Sequence, residues 1–160
     1  VQEGKPYLIF GDGKQTACKP ISDHDVADYL AGCLEIEIRH NRILPIGGPG
    51  PAITPYEQGE YLFQLLGKPS RFTSVPLGLL RGIALVLGAL GKLIPPLAVK
   101  AELARIGHYY ASESMLVWDA HAQRYDADAT PSYGEQTLLD AYGKWVKGEA
   151  IPERGDHAVF

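Results

Sequence analysis

Cysteine is scarce in this chain, and its spacing builds nothing. Of 160 residues only Cys18 and Cys33 are cysteine, with no Cys-x-x-Cys pair. That argues against a disulfide framework and a zinc site, and leaves a four-thiolate iron–sulfur cluster short of ligands. Free core thiols are the default. The five histidines (24, 40, 108, 121 and 157) lack metal-ligand spacing, so no metal site is expected. Neither Gly-x-Ser-x-Gly nor His-Glu-x-x-His occurs. Basic residues are in deficit, 15 against 19 acids, for a net charge of −4. They are also dispersed, so no nucleic-acid partner is expected. No stretch reaches the ~20 uncharged apolar residues of a membrane span, because Arg81 and Lys92 bound the most apolar one. The chain opens on Val1 with no charged-then-apolar leader, which reads as a start lost to processing or truncation.

What is present centres on Asn41–Gly67. Ile43, Leu44, Pro45 and Ile46 read as a short strand, and Gly47–Pro51 as a loop. Thr54-Pro55-Tyr56-Glu57 is a capping box with proline at the first helical position. Gly67 supplies a left-handed stop. Strand, glycine loop and capped helix invite a nucleotide reading. However, Pro49, Pro51 and Pro55 remove N–H donors from the surface that would meet phosphate, and no lysine follows. A rigid turn is the preferred reading.

The remaining elements follow in order. Lys5–Phe10 reads as a strand ending in a Gly11-Asp12-Gly13 turn, and Lys14–Ile21 as a second extended piece. Ser22-Asp23 starts a helix whose Val26, Tyr29, Leu30 and Cys33 form a buried face. Asp23 and Asp25 suit the helix dipole rather than catalysis. Arg71–Val75 reads as a strand. Pro76–Ile94 is the most apolar segment, and three readings stay open: a buried helix, the wall of an apolar pocket, or a surface that touches a membrane. Pro95-Pro96 breaks it. The next helix, Leu97–Ser112, places Val99, Leu103, Ile106 and Tyr110 on one stripe, with Tyr110 in the core and His108 and Tyr109 projecting away. Met115–Trp118 reads as a strand, Asp119–Pro131 as a polar loop, and Ser132–Glu135 as a second capping box. Leu138, Leu139, Tyr142 and Val146 give a last apolar face, and 151–160 a loose tail. The composition is that of an α/β chain without an internal domain boundary.

Two stretches carry a resemblance. Lys19–Ala27 (KPISDHDVA) with RILPIGGPGPAITPYEQGEYLFQLLGKP resembles the C-terminal half of extended and atypical short-chain dehydrogenases, including NmrA-like proteins. The pair that short-chain dehydrogenases place around the nicotinamide, Tyr-x-x-x-Lys, is absent. Arg105–Leu116 (RIGHYYASESML) with Thr130–Gly134 (TPSYG) and the opening GKPYLIFGDGKQTACKPIS looks like the divinyl chlorophyllide a 8-vinyl-reductase family, in its NADPH-dependent bacterial form. The resemblance covers essentially the whole chain.

It implies an α/β fold: residues 1–160 would be the end of a Rossmann domain plus a mostly helical substrate-covering region. The N-terminal dinucleotide-binding half, and with it most of the NADPH site, would be missing, so no cofactor-binding residue can be named. The implied substrate is divinyl chlorophyllide a or divinyl protochlorophyllide a, whose C8 vinyl group becomes ethyl. His108 and Tyr109 are then candidates for proton donation, with His108 alternatively an axial ligand to the pigment's magnesium, and Glu113 orienting either. Leu80, Ile83, Leu87 and Tyr110 are candidates for contact with the ring. A self-capped polar helix end remains the alternative for His108, Tyr109 and Glu113. A cytoplasmic bacterial location with peripheral membrane contact is expected, as is association of the isolated chain through exposed edges. A non-catalytic NmrA-like dinucleotide sensor and a reductase of another apolar substrate are the competing functions.

Overall fold

Two strands, β1 (Tyr7–Phe10) and β2 (Phe72–Val75), pair in parallel with Tyr7 opposite Phe72 and Phe10 opposite Val75. A parallel pair needs a long crossover, and here it contains α1 (Asp23–Gly32) and α2 (Pro55–Leu65). The computed structural model describes residue 1 and residues 3–149. The segment read as a loose tail lies outside the described residues. Then follow α3 (Leu77–Leu90), α4 (Pro95–Ser112), an antiparallel hairpin of β3 (Val117–Asp119) and β4 (Arg124–Asp126), and α5 (Leu138–Val146). The fold is mixed α/β.

The α2 helix starts as its sequence dictates. The Thr54 hydroxyl accepts from the Glu57 N–H, and the Glu57 carboxylate accepts from the Thr54 N–H at 2.8 Å. Gly67 ends the segment at φ 61°. Gly59 lets α2 lie close on the sheet, because a Cβ there would meet the rings of Phe72 at 2.5 Å and Tyr7 at 2.8 Å. Phe72 stacks on Tyr56 with centroids 4.7 Å apart and meets Phe63 edge-on at 5.8 Å. Ile9 and Phe63 are buried. Leu8, on the opposite face of β1, is 55% exposed.

Residues 17–19 form the centre of the molecule. Cys18 bridges backbone to Ile53 on one side and Met115 on the other. The Ala17 N–H donates to Ser114 Oγ at 3.0 Å, and Lys19 Nζ donates to the Thr130 carbonyl at 3.0 Å. Beneath this seam Tyr142, 8% exposed, donates to Tyr7, and Gln58 Nε2 reaches the Cys18 thiol at 3.8 Å. Both cysteines are free and half-buried.

Several sequence expectations are corrected. Ile43–Ile46 is not a strand: Ile43 is 97% exposed, and the chain bridges only at Gly47, to Ser132. Leu30 faces solvent, whereas Asp25 in the same helix is buried beneath Gly134. Ser132 starts no helix. Its hydroxyl accepts from Lys19 Nζ, and the capping box of α5 is Thr137 with Asp140. The polar loop after Trp118 contains β4. The stripe of Val99, Leu103, Ile106 and Tyr110 is exposed, Tyr110 by 60%. Small residues explain this last inversion. Ala84 and Ala101 are buried, and Gly91 abuts Ala98, so α3 and α4 close on a seam of alanine and glycine. Most of their large apolar side chains are turned outward, and α3 is not the buried helix of one reading.

Candidate functional site

The last turn of α4 and the β3–β4 hairpin form an aromatic cluster around one carboxylate. Glu113 caps α4, its N–H donating to the Tyr109 carbonyl at 2.9 Å. Its side chain accepts a short hydrogen bond from the phenol of Tyr125 on β4. That hydrogen bond, with the nearby carboxylate charge, pushes the Tyr125 phenol from its ordinary 10.0 to about 12. Trp118, the cross-strand partner of Tyr125, meets its ring edge-on at 5.0 Å.

Local chemistry holds the hairpin. The Asp119 carboxylate accepts from the N–H groups of His121 and Ala122, and Gln123 takes the left-handed conformation at φ 50°. Asp126 accepts from the N–H groups of Ala129 and Asp128, which hold its carboxyl below the usual range. The buried Thr130 hydroxyl accepts from the Val117 N–H and donates to the Asp126 carbonyl, stitching both strands together.

Tyr109 and Tyr110 stand edge to face at 6.0 Å, both more than half exposed. With Ile106, Glu102 and Arg105 they line an open cleft of about 510 Å³. Tyr110 also closes a second cleft of about 280 Å³ against Leu8, Phe10, Thr16 and Gly107. His108 is half-buried, and its carbonyl accepts from Ser112 Oγ at 2.9 Å. Ile83 and Leu87 line a groove of about 380 Å³ on α3 with Gly78, Leu79, Gly82 and Val86. Leu80 is half-buried outside that groove, and Tyr110 belongs to the other two clefts.

The structure therefore brings Glu113 together with Tyr125, a residue the sequence reading missed, rather than with His108. The signal was faint: Arg124-Tyr125-Asp126 is a three-residue strand with one apolar position.

The glycine loop turns the N–H groups of Gly47 and Gly48 to its own chain. Gly47 N–H donates to the Pro131 carbonyl at 2.8 Å and Gly48 N–H to the Lys19 carbonyl at 2.9 Å. A Cβ on Gly48 would collide with the Pro20 carbonyl. The Gly47 and Gly48 donors are spent within the chain, and the Glu57 carboxylate occupies the start of α2. These residues do not fit a dinucleotide phosphate.

No family model matches the chain. Curated relatives do. A protein of Cucumis sativus named "Divinyl chlorophyllide a 8-vinyl-reductase, chloroplastic" is 50% identical over 161 residues, covering 100% of this chain and 38% of that protein. Its namesake in Oryza sativa subsp. indica is 48% identical, covering 100% of this chain and 40% of the relative. That of Arabidopsis thaliana is 46% identical, with 98% and 38% covered. These relatives are chloroplastic plant enzymes, which overturns the expectation of a cytoplasmic bacterial protein. The chain spans about two fifths of the relatives it matches. Over that span, which is its whole length, it is similar to the divinyl chlorophyllide a 8-vinyl-reductases, as its motifs led one to expect.

Proposed function

We propose that this chain is the C-terminal portion of a divinyl chlorophyllide a 8-vinyl-reductase. It would comprise the end of an NmrA-like Rossmann domain and a substrate-covering region. The enzyme would reduce the C8 vinyl group of divinyl chlorophyllide a, or of divinyl protochlorophyllide a, to ethyl. The observation that carries the proposal is 50% identity sustained over the entire chain.

The sheet supports the domain assignment. Parallel sheets are ordinarily covered on both faces. Here β1 and β2 form a two-stranded parallel sheet with Leu8 open to solvent. Further strands from outside the chain would complete it.

NADPH, which would supply a hydride equivalent, is assigned to the part of the protein outside this chain, since the glycine loop does not fit it. What this chain contributes is orientation and a proton. The flat apolar ring rests on Tyr109 and Tyr110, which line one open cleft with Ile106. The exposed phenol of Tyr109 is the proton donor, with His108 the second candidate. Glu113 acts through Tyr125: it is a positioning residue that fixes the hairpin against the last turn of α4.

The test uses the complete protein with divinyl chlorophyllide a and NADPH. The expected product is two hydrogens heavier, separable by chromatography and mass. Tyr109→Phe should lower kcat with little change in KM. Absence of the heavier product from folded protein would overturn the reading. An unchanged kcat for Tyr109→Phe would remove Tyr109 from its role, and the same result for His108→Ala would remove His108.

A further inference from the structure

We infer that the tip of the α3–α4 hairpin is a docking surface for an anionic lipid bilayer. The inference rests on the hairpin alone and not on the reductase reading. The inward faces of the two helices are used up by the alanine–glycine seam, with Ala101 fully buried and Gly91 against Ala98. At the turn the large apolar side chains have nowhere to go but outward. Leu93 is 84% exposed, Val99 64%, Ile94 50% and Leu90 45%. Contiguous exposed apolar surface of this kind marks an interaction site.

Charge identifies the partner. Residues 76–106 hold Arg81, Lys92, Lys100 and Arg105 against Glu102 alone, a net +3 within a chain of net −4. Lys92 and Lys100 are exposed and flank the apolar tip. Apolar side chains with lysines beside them suit the interface of an anionic bilayer, where acyl chains take the former and headgroups the latter. A second copy would instead bring two positive tips together. The base of the hairpin lies at the sheet, where Leu77 reaches Gly11, and the 14 residues of α3 carry the tip roughly 20 Å away from it. Among the described residues no helix is long and apolar enough to cross a membrane, so the hairpin docks on the surface.

The experiment is flotation of the complete protein with vesicles of phosphatidylcholine alone, or of phosphatidylcholine with phosphatidylglycerol, at low and high salt. Binding should be at least tenfold stronger to the anionic vesicles and should weaken with salt. Leu93→Glu combined with Ile94→Glu should abolish it. Lys92→Glu combined with Lys100→Glu should reduce it severalfold, with circular dichroism unchanged in both variants. Folded protein that never floats would overturn the inference. So would binding indifferent to lipid charge and to the lysine changes, or a concentration-dependent dimer lost in the Leu93 and Ile94 variant.

Discussion

The phenol of Tyr125 donates its hydrogen bond to the carboxylate of Glu113, tying β4 to the end of α4. Ionising that phenol would place two negative charges in contact, so its pKa is raised to about 12. The sign follows: the folded protein keeps the proton where the unfolded chain, at 10.0, loses it. This contact therefore supports the fold fully below pH 10 and ceases to do so as pH rises through about 12. Phenolate absorbance should show late-titrating tyrosines, one of them near pH 12, and that one should be missing in Tyr125→Phe. In Glu113→Gln that tyrosine should move back toward 10. A late-titrating amplitude that is undiminished in Tyr125→Phe would refute the assignment.

Burial acts in the same direction at Tyr142, whose proton goes to Tyr7, and both phenols are pushed up by desolvation. Above pH 10 the unfolded state gains charge that the folded state refuses. Alkaline unfolding should therefore begin at lower pH in the wild type than in Tyr142→Phe. If the variant keeps its packing, its denaturation midpoint should fall less between pH 9 and pH 11.

Glycines separate into two groups. Gly134 sits at φ 88° with the Asp25 carboxylate where a Cβ would be, and Gly48 lies against the Pro20 carbonyl. Alanine at either position should cost more than about 3 kcal/mol and abolish a cooperative melt. Gly82, inside α3 and facing open space, is the contrast. Gly82→Ala should stabilise by about 0.5–1 kcal/mol, because only backbone entropy changes.

Thr54→Ala should cost about 1 kcal/mol by removing the cap of α2. The Thr54 backbone and hydroxyl also hold the Glu57 carboxyl below 4.5. That contribution is present above pH 4.5 and fades as pH falls through the lower folded value. The wild-type advantage over Thr54→Ala should therefore shrink in acid. Equal denaturant midpoints at pH 7 would count against the capping box.

What was legible in the sequence was local. The capping box of α2, the left-handed Gly67, the turn after β1 and the strand at β2 each follow from chemistry within a few residues. The α3–α4 pair was misjudged because large apolar residues at helical spacing suggest a core, whereas Ala84, Gly88, Gly91 and Ala101 allow the backbones close enough to exclude them. Asp25 was assigned to the helix dipole alone. Its burial depends on Gly134 and on the Gln136 N–H, more than a hundred residues later. Glu113 drew attention in the sequence, but the partner that the fold gives it, Tyr125, stood in a stretch too polar and too short to read as a strand.

The seam at Cys18 has a kinetic consequence. Its neighbours, Ile53, Met115 and Thr130, arrive from distant parts of the chain, so the loops between them must close before any of these contacts can form. The α3–α4 hairpin meets only its own sequence neighbours along its seam and can form early. Topology thus predicts an order of folding: a helical hairpin first, then a slower closure in which residues 17–19 are clasped from both sides.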